Sequence, residues 1–435
     1  MTLLAHGVGG STDLPIPYTY ALIGAAWALT LTFAVVALAW RKPRFDPAAP
    51  GRPLPGFLDR LVEAPATRWT LGLLGLALAL WVAVAAVFGP QDASNALPGA
   101  FYVLLWVGLV AVSALVGPVW RVLSPARTLW RLGGGAGLRA YPDSWGYRPA
   151  ALGLFAFVWL ELASPDPGSL TAIKVWLLTY VVVVFAGAAL FGPRWFARAD
   201  PFEVYSMVAS RVAPLRRDPT GKLVVGNPFD HLPSLPVRPG TVAVPAVLLG
   251  STAFDSFSAM PQWRGFVERI ADGVWAATAV NTAGLLVFIG VVATTFWLAA
   301  RATGGLDRAR RRALPGQLAH SLIPIVLGYV FAHYLSYLVE RGQQTVIALA
   351  DPLGRGWNLL GLGDAEVHYV LSMHPTVLAT LKVAGVVLGH MAGVIAAHDA
   401  ALRLLPRRHQ LTGQLALMLV MVGYTFAGLY LLFGG

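Results

Sequence analysis

An all-α bundle of about ten membrane-crossing helices is the fold that this chain of 435 residues predicts. Three observations carry the prediction. Hydrophobic residues make up 57% of the chain and charged residues only 12%, against about 25% charged in a soluble domain. Apolar runs of about 20 residues, the length that crosses a bilayer, recur from one end of the chain to the other. Lys and Arg gather in the short segments between those runs.

The spans fall roughly at 18–40, 69–89, 98–118, 149–163, 169–190, 240–256, 275–299, 317–340, 376–399 and 411–433. The fourth and sixth are short. The sixth holds Pro245, Gly250, Ser251, Thr252 and Asp255, the composition of a broken or re-entrant helix. Such backbone is tolerated only where it is buried in protein or lines a cavity. Alternate loops carry 26 Lys and Arg, whereas the intervening ones carry four (Arg264, Arg269, Arg341, Arg355), with Lys174 and Lys382 inside spans. The excess of basic residues on the cytoplasmic side of membrane proteins then places both termini extracytoplasmic. The net charge of +11 resides mainly in those loops, facing lipid headgroups, and no nucleic-acid partner is expected.

Other segments bound the architecture further. The first 17 residues lack a charged n-region and a long apolar h-region, so no cleaved signal peptide is expected. Zero Cys excludes disulfides, thiolate metal ligands and Fe–S clusters. Within the cytoplasmic loop 191–239, residues 199–214 predict an amphipathic helix, opened by Asp200-Pro201 and lying along the membrane surface. The extracytoplasmic segment 341–375 carries Gly and Asp-Pro turn signals and reads as a lid over the bundle mouth. No internal repeat is visible, so an inverted-repeat transporter architecture gains no support.

The eighth span concentrates the chemistry. At about 100° per residue, Tyr329, His333, Ser336, Tyr337 and Glu340 share one side of it. An ionisable group near the bilayer centre costs at least about 2.5–3.5 kcal/mol, so such a stripe must face other helices, water or a ligand. Glu161, Lys174, Asp255, Glu340 and Lys382 fall at one depth, in the outer third of the membrane, with His333, Tyr337, Thr278 and Asn281 at or just below it. Glu161 and Lys174, near the ends of consecutive spans, are equally well read as an ion pair that fixes helix packing.

In the ninth span, Gly385, Gly389 and Gly393 form two overlapping GxxxG steps, which let another backbone approach. Lys382 shares that face and points into the seam. His390 flanks the seam, as a buried core histidine or a functional one, and His398 reads as a solvated interfacial residue.

Metal binding has no motif: HExxH and His pairs at i, i+4 are absent. A site would be assembled across helices from His333, Glu340, Asp255 and His390, with His6, His368 or His374 from outer segments, and would suit Zn or Cu. His320 and His333 lie about 140° apart on one helix, which disfavours a two-haem cytochrome, while a single haem between His333 and His390 remains open. GxSxG, Walker and dinucleotide fingerprints are absent.

The segments AHGVGGSTDLPIP (5–17), ADPFEVYSMVASRVAP (199–214), GYVFAHYLSYLVERGQ (328–343), DPLGRGWNLLG (351–361) and GHMAGVIAAHDAAL (389–402) resemble a family of multi-span membrane proteins of actinobacteria and related bacteria. Its members are often labelled fenitrothion hydrolase, an organophosphate-hydrolysing activity. The resemblance runs over most of the chain and implies a multi-pass protein of the bacterial plasma membrane. It transfers no catalytic residues.

Three functions follow as expectations. The first is a hydrolase of lipophilic phosphoesters. In it, a divalent metal or His333 as general base activates water, Glu340 and Asp255 ligate or orient, and Lys382 stabilises charge on phosphoryl oxygens. Tyr329, Tyr337, Thr278 and Asn281 would line the pocket. The second is a proton-coupled or metal (copper) transporter, and the third a membrane subunit or assembly factor of an extracytoplasmic metalloenzyme that packs against a membrane-protein partner.

Overall fold

Helices form over every predicted span. The computed structural model describes residues 13–433, and its long helices are α1 (Tyr18–Ala39), α2 (Pro65–Phe88), α3 (Ala96–Val116), α4 (Arg148–Leu162), α5 (Leu170–Phe191), α6 (Pro201–Ala209), α7 (Ala243–Ser258), α8 (Pro261–Ile270), α9 (Val274–Arg301), α10 (Arg308–Ala350), α11 (Pro375–Leu404) and α12 (Leu415–Phe433). Eight helices among the described residues are long and apolar enough to cross a membrane, or nine with the bent pair α7 and α8 counted as one span. The protein is therefore a multi-pass helical membrane protein. Large apolar side chains such as Leu74, Phe88, Leu178, Val287 and Leu419 are exposed on its flanks, the surface that acyl chains cover.

The sixth span is not broken at the Pro and Gly that suggested it: Pro245, Gly250 and Asp255 lie within one continuous helix, and the bend comes after it, before Pro261. α7 ends at Ser258 and α8 leaves it at 82°. α4 is short, with 15 residues.

The helix predicted for 199–214 forms as α6, and its start follows the expected chemistry. Asp200 caps it by accepting from Phe202 N at 2.9 Å and Glu203 N at 3.3 Å, with Pro201 in the first turn. Its position differs from the surface location expected. Phe202, Val204, Tyr205 and Ser206 are buried. Phe202 packs on Phe157, Trp176 and Tyr180, and Tyr205 on Trp106, while Ser206 bonds Ser113 at 2.8 Å. The periodicity predicts one apolar face, but residues on every side of the helix are buried, and Phe202 and Tyr205 wedge it among α3, α4 and α5. Glu203 is not solvated either: it forms a fork with Arg127 at 2.7 and 2.8 Å.

The loops sort to two ends. At one end β1 (Arg52–Pro53), β2 (Leu215–Arg217) and β3 (Leu223–Val225) form a small antiparallel sheet in the order β1-β3-β2. Asp399 there accepts from the backbone of Arg44 and Phe45, and Arg216 donates to Pro47 and Ala49 carbonyls. Loops that the charge count assigns to one side thus meet. At the other end Lys174 donates to Gln91, Tyr102 to the Pro167 carbonyl, and Gln343 and His368 bond each other's chain. The 341–375 segment is helical as far as Ala350, so only its remainder is a loop.

α10 and α11 meet backbone to backbone. A Cβ on Gly389 would stand 2.6 Å from the Pro324 carbonyl oxygen and one on Gly393 2.8 Å from that of Ser321, and one on Gly328 would collide with Gly385. The GxxxG steps serve the close approach expected of them.

Candidate functional site

The last turn of α7, before the bend, sets Asp255 and Ser256 against His333 on α10. His333 Nε2 lies 2.9 Å from Asp255 Oδ2, and its Nδ1 lies 3.1 Å from Ser256 Oγ. Tyr334 donates its hydroxyl to the same Asp255 oxygen at 2.9 Å. The Tyr329 hydroxyl lies 3.1 Å from Ser256 Oγ, and its ring stands parallel to that of His333. All five side chains are buried. They form a continuous line across two helices: Tyr329, Ser256, His333, Asp255, Tyr334.

Helix geometry explains the line. Asp255 and Ser256 are consecutive, so about 100° separates them and the imidazole reaches both at once. Tyr329 precedes His333 by one turn, and Tyr334 follows it. Asp255 accepts, so Nε2 of a neutral imidazole carries the proton and Nδ1 is left to accept from Ser256.

A second carboxylate lies beyond Tyr334. Glu161 is buried on α4, within electrostatic reach of the hydroxyls of Tyr102, Tyr205, Tyr334 and Tyr337. Asp255 acts on Tyr334 and Tyr337 as well. Two acidic groups, on α7 and α4, thus act electrostatically on the same tyrosines of α10. The ion pair of Glu161 with Lys174 does not form, because Lys174 is engaged with Gln91 at 2.7 Å at the loop end.

The remaining predicted residues are dispersed. Glu340 accepts from Leu371 N, Ser372 N and Ser372 Oγ at 3.1, 2.8 and 2.6 Å. It anchors the loop beyond α10 instead of facing His333. The five-residue π-helix at Tyr337–Arg341 changes the turn angle there, so the single stripe computed at 100° per residue splits between two surroundings. Lys382 is buried on α11, where Asp13 is its acidic neighbour. His390 is buried and turned back onto its own helix, Nδ1 lying 2.8 Å from the Val386 carbonyl. Asn281 accepts from Trp263 Nε1 at 2.9 Å, and the Thr278 carbonyl accepts from Thr282. His398 is buried, not solvated, and bridges Trp40 O and Gln414 at 3.0 Å each.

The metal set His333, Glu340, Asp255 and His390 is not assembled. Only His333 and Asp255 meet, and no three His, Asp or Glu side chains among the described residues are placed to hold an ion. Both ring nitrogens of His333 are engaged in hydrogen bonds, with Asp255 and with Ser256. His6 lies outside the described residues, and His374 bonds the Val370 carbonyl at 2.8 Å.

Sequence reasoning missed Ser256 and the roles of Tyr334, Tyr102 and Tyr205. Ser256 adjoins Asp255 in the sixth span, which was a usable signal. Tyr334 lies 100° from His333 and was outside the stripe, and Tyr205 belonged to a helix assigned to the surface. Comparisons with protein-family models, with curated proteins and with solved structures gave no match to this chain.

Proposed function

We propose that the protein is a proton-coupled membrane transporter in which Asp255 and His333 take up and release the proton. The observation that supports this reading is the buried Asp255–His333 pair, which ties the bent helices α7 and α8 to α10 and continues through hydroxyls on either side. Ionisable groups inside a membrane are costly and mark ion pathways, and discontinuous helices in transporters carry binding sites.

Protonation changes the line in a defined way. Neutral His333 donates through Nε2 to Asp255 and accepts from Ser256 at Nδ1. Imidazolium donates from both nitrogens, so the Ser256 hydroxyl must turn its proton elsewhere. The Thr252 carbonyl at 3.3 Å and the Tyr329 hydroxyl at 3.1 Å are its acceptors. The added charge strengthens the bond to Asp255 and draws α7 towards α10, whereas proton loss loosens it. A helix already bent by 82° is the element such a change would move.

The test is accumulation in proteoliposomes under an imposed pH gradient, with a panel of divalent cations (copper and zinc included) and small organic anions. Gradient-driven accumulation of one class by wild type, lost in Asp255→Asn and in His333→Gln, is expected. Equal accumulation by wild type and Asp255→Asn would falsify the proposal.

A second reading rests on the Ser256, His333, Asp255 order. Ser256 Oγ would be the nucleophile, His333 its base and Asp255 the group that orients the imidazole, an arrangement recognised by geometry. It fits the organophosphate-hydrolase resemblance but dispenses with metal, Glu340 and Lys382. Covalent labelling of wild type but not Ser256→Ala by a fluorophosphonate, read by intact mass, would establish it.

A further inference from the structure

We propose that the cavity between α4, α7, α9 and α10 at the basic end of the bundle is a binding site for the phosphate headgroup of an anionic phospholipid. The cavity measures about 470 Å³, and Arg148, Arg238, Arg312 and Trp297 line it together with backbone of 239–243. That volume is within the range of ligand pockets.

Its charge is the first argument. Among the described residues none of the three arginines forms a salt bridge. Asp143, the acidic neighbour of Arg238, already bonds Arg198 at 2.6 Å. Three guanidinium groups around one cavity repel each other until an anion enters, and guanidinium binds phosphate oxygens in pairs.

The walls are held in advance. Tyr147 N donates to the Pro239 carbonyl at 2.7 Å, and Thr241 Oγ1 bonds Arg238 N and O at 2.8 Å. Gly240 has a φ of +89°, and a Cβ there would stand 2.6 Å from Arg148 N, so only glycine closes the two loops this tightly.

The lipid-facing rim identifies the source of the phosphate. Trp297 and Val237 at the rim and Leu298 beside it are 42%, 53% and 54% exposed, and Arg301 stacks on Trp297 at 4.0 Å. Tryptophan and arginine side by side at the end of an apolar helix are the pattern of a headgroup boundary. A headgroup in the cavity would leave its acyl chains along the exposed face of α9, where Val287 and Val291 lie.

Native mass spectrometry of the detergent-purified full chain tests the site, with dioleoyl phosphatidylglycerol, dioleoyl phosphatidylcholine and millimolar inorganic phosphate as probes. Wild type is expected to hold phosphatidylglycerol about tenfold more tightly than phosphatidylcholine, with inorganic phosphate unable to displace it. The double variant Arg148→Gln/Arg312→Gln should lose that preference. Both arginines are exposed, so the fold should survive, and Arg310→Gln, which changes a residue outside the cavity, should behave as wild type. Equal retention of the two lipids by wild type, or a preference that persists in the double variant, overturns the proposal. Displacement by inorganic phosphate overturns the lipid assignment in favour of a soluble phosphate compound.

Discussion

Replacing His333 by alanine and Asp255 by asparagine separates the packing role of the buried line from its proton chemistry. The imidazole bridges Asp255 at 2.9 Å and Ser256 at 3.1 Å. His333→Ala removes both bonds at once and leaves a cavity between α7 and α10, while Asp255 keeps Tyr334. Losing a bond to a charged acceptor costs about 1.5–3 kcal/mol and losing a neutral one about 0.5–1.5, which with the cavity comes to about 4 kcal/mol. Asp255→Asn is milder, because the amide oxygen can take the place of Oδ2 and accept from both His333 and Tyr334. What is lost is charge assistance, the difference between about 1.5–3 kcal/mol for a charged bond and about 0.5–1.5 for a neutral one, or about 1 kcal/mol for each of two bonds. The alanine variant should therefore lose about twice the unfolding free energy of the asparagine variant in mixed detergent micelles, followed by tryptophan fluorescence. Asp255→Asn should nevertheless abolish gradient-driven accumulation, since an amide holds no titrating proton. Equal destabilisation by the two changes, with transport intact in the asparagine variant, would refute the assignment and reduce the line to packing.

Three further outcomes are expected. Gly389→Ala places a methyl group 2.6 Å from the Pro324 carbonyl oxygen, so α10 and α11 must part, at about 1–3 kcal/mol, whereas Gly423→Ala meets nothing within 4 Å and should shift thermal unfolding little. Glu340→Ala deprives Leu371 N, Ser372 N and Ser372 Oγ of their acceptor, and limited proteolysis should then cut within 351–374 faster than in wild type, while Ser372→Ala should cost only about 1 kcal/mol. His231 accepts from Arg211 at 3.3 Å, and burial with the charges of Arg211 and Arg216 lowers its pKa to about 4 from 6.5. The fold thus favours neutral His231. This stability is fully present above about pH 6.5 and is lost as pH falls towards 4, by about 1–2 kcal/mol after allowance for its partial exposure. His231→Gln should flatten melting temperature against pH in that window.

Much of the architecture is legible in the chain itself, because a bilayer demands long apolar helices and satisfied backbone. Most of the spans, the Asp200-Pro201 helix start and the glycine seam of α11 follow from local composition and periodicity, whereas the bend before Pro261 lies outside the predicted sixth span and the 15-residue α4 is not among the helices long enough to cross. Those signals act within about a turn or two of helix, where sequence distance is spatial distance. Residue partners are another matter. That Asp255 meets His333 and Tyr334, that Lys174 meets Gln91 instead of Glu161, and that Glu340 anchors Ser372 depend on how distant helices are rotated and set in depth. The π-helical turn that contains Glu340 alters that rotation locally, and α6 is drawn into the bundle because its aromatic residues find partners on three other helices. Chain composition determined that the protein crosses a membrane many times. Tertiary packing decided which of its costly polar groups share one site, since only the packed helices set the distances over which hydrogen bonds and charges act.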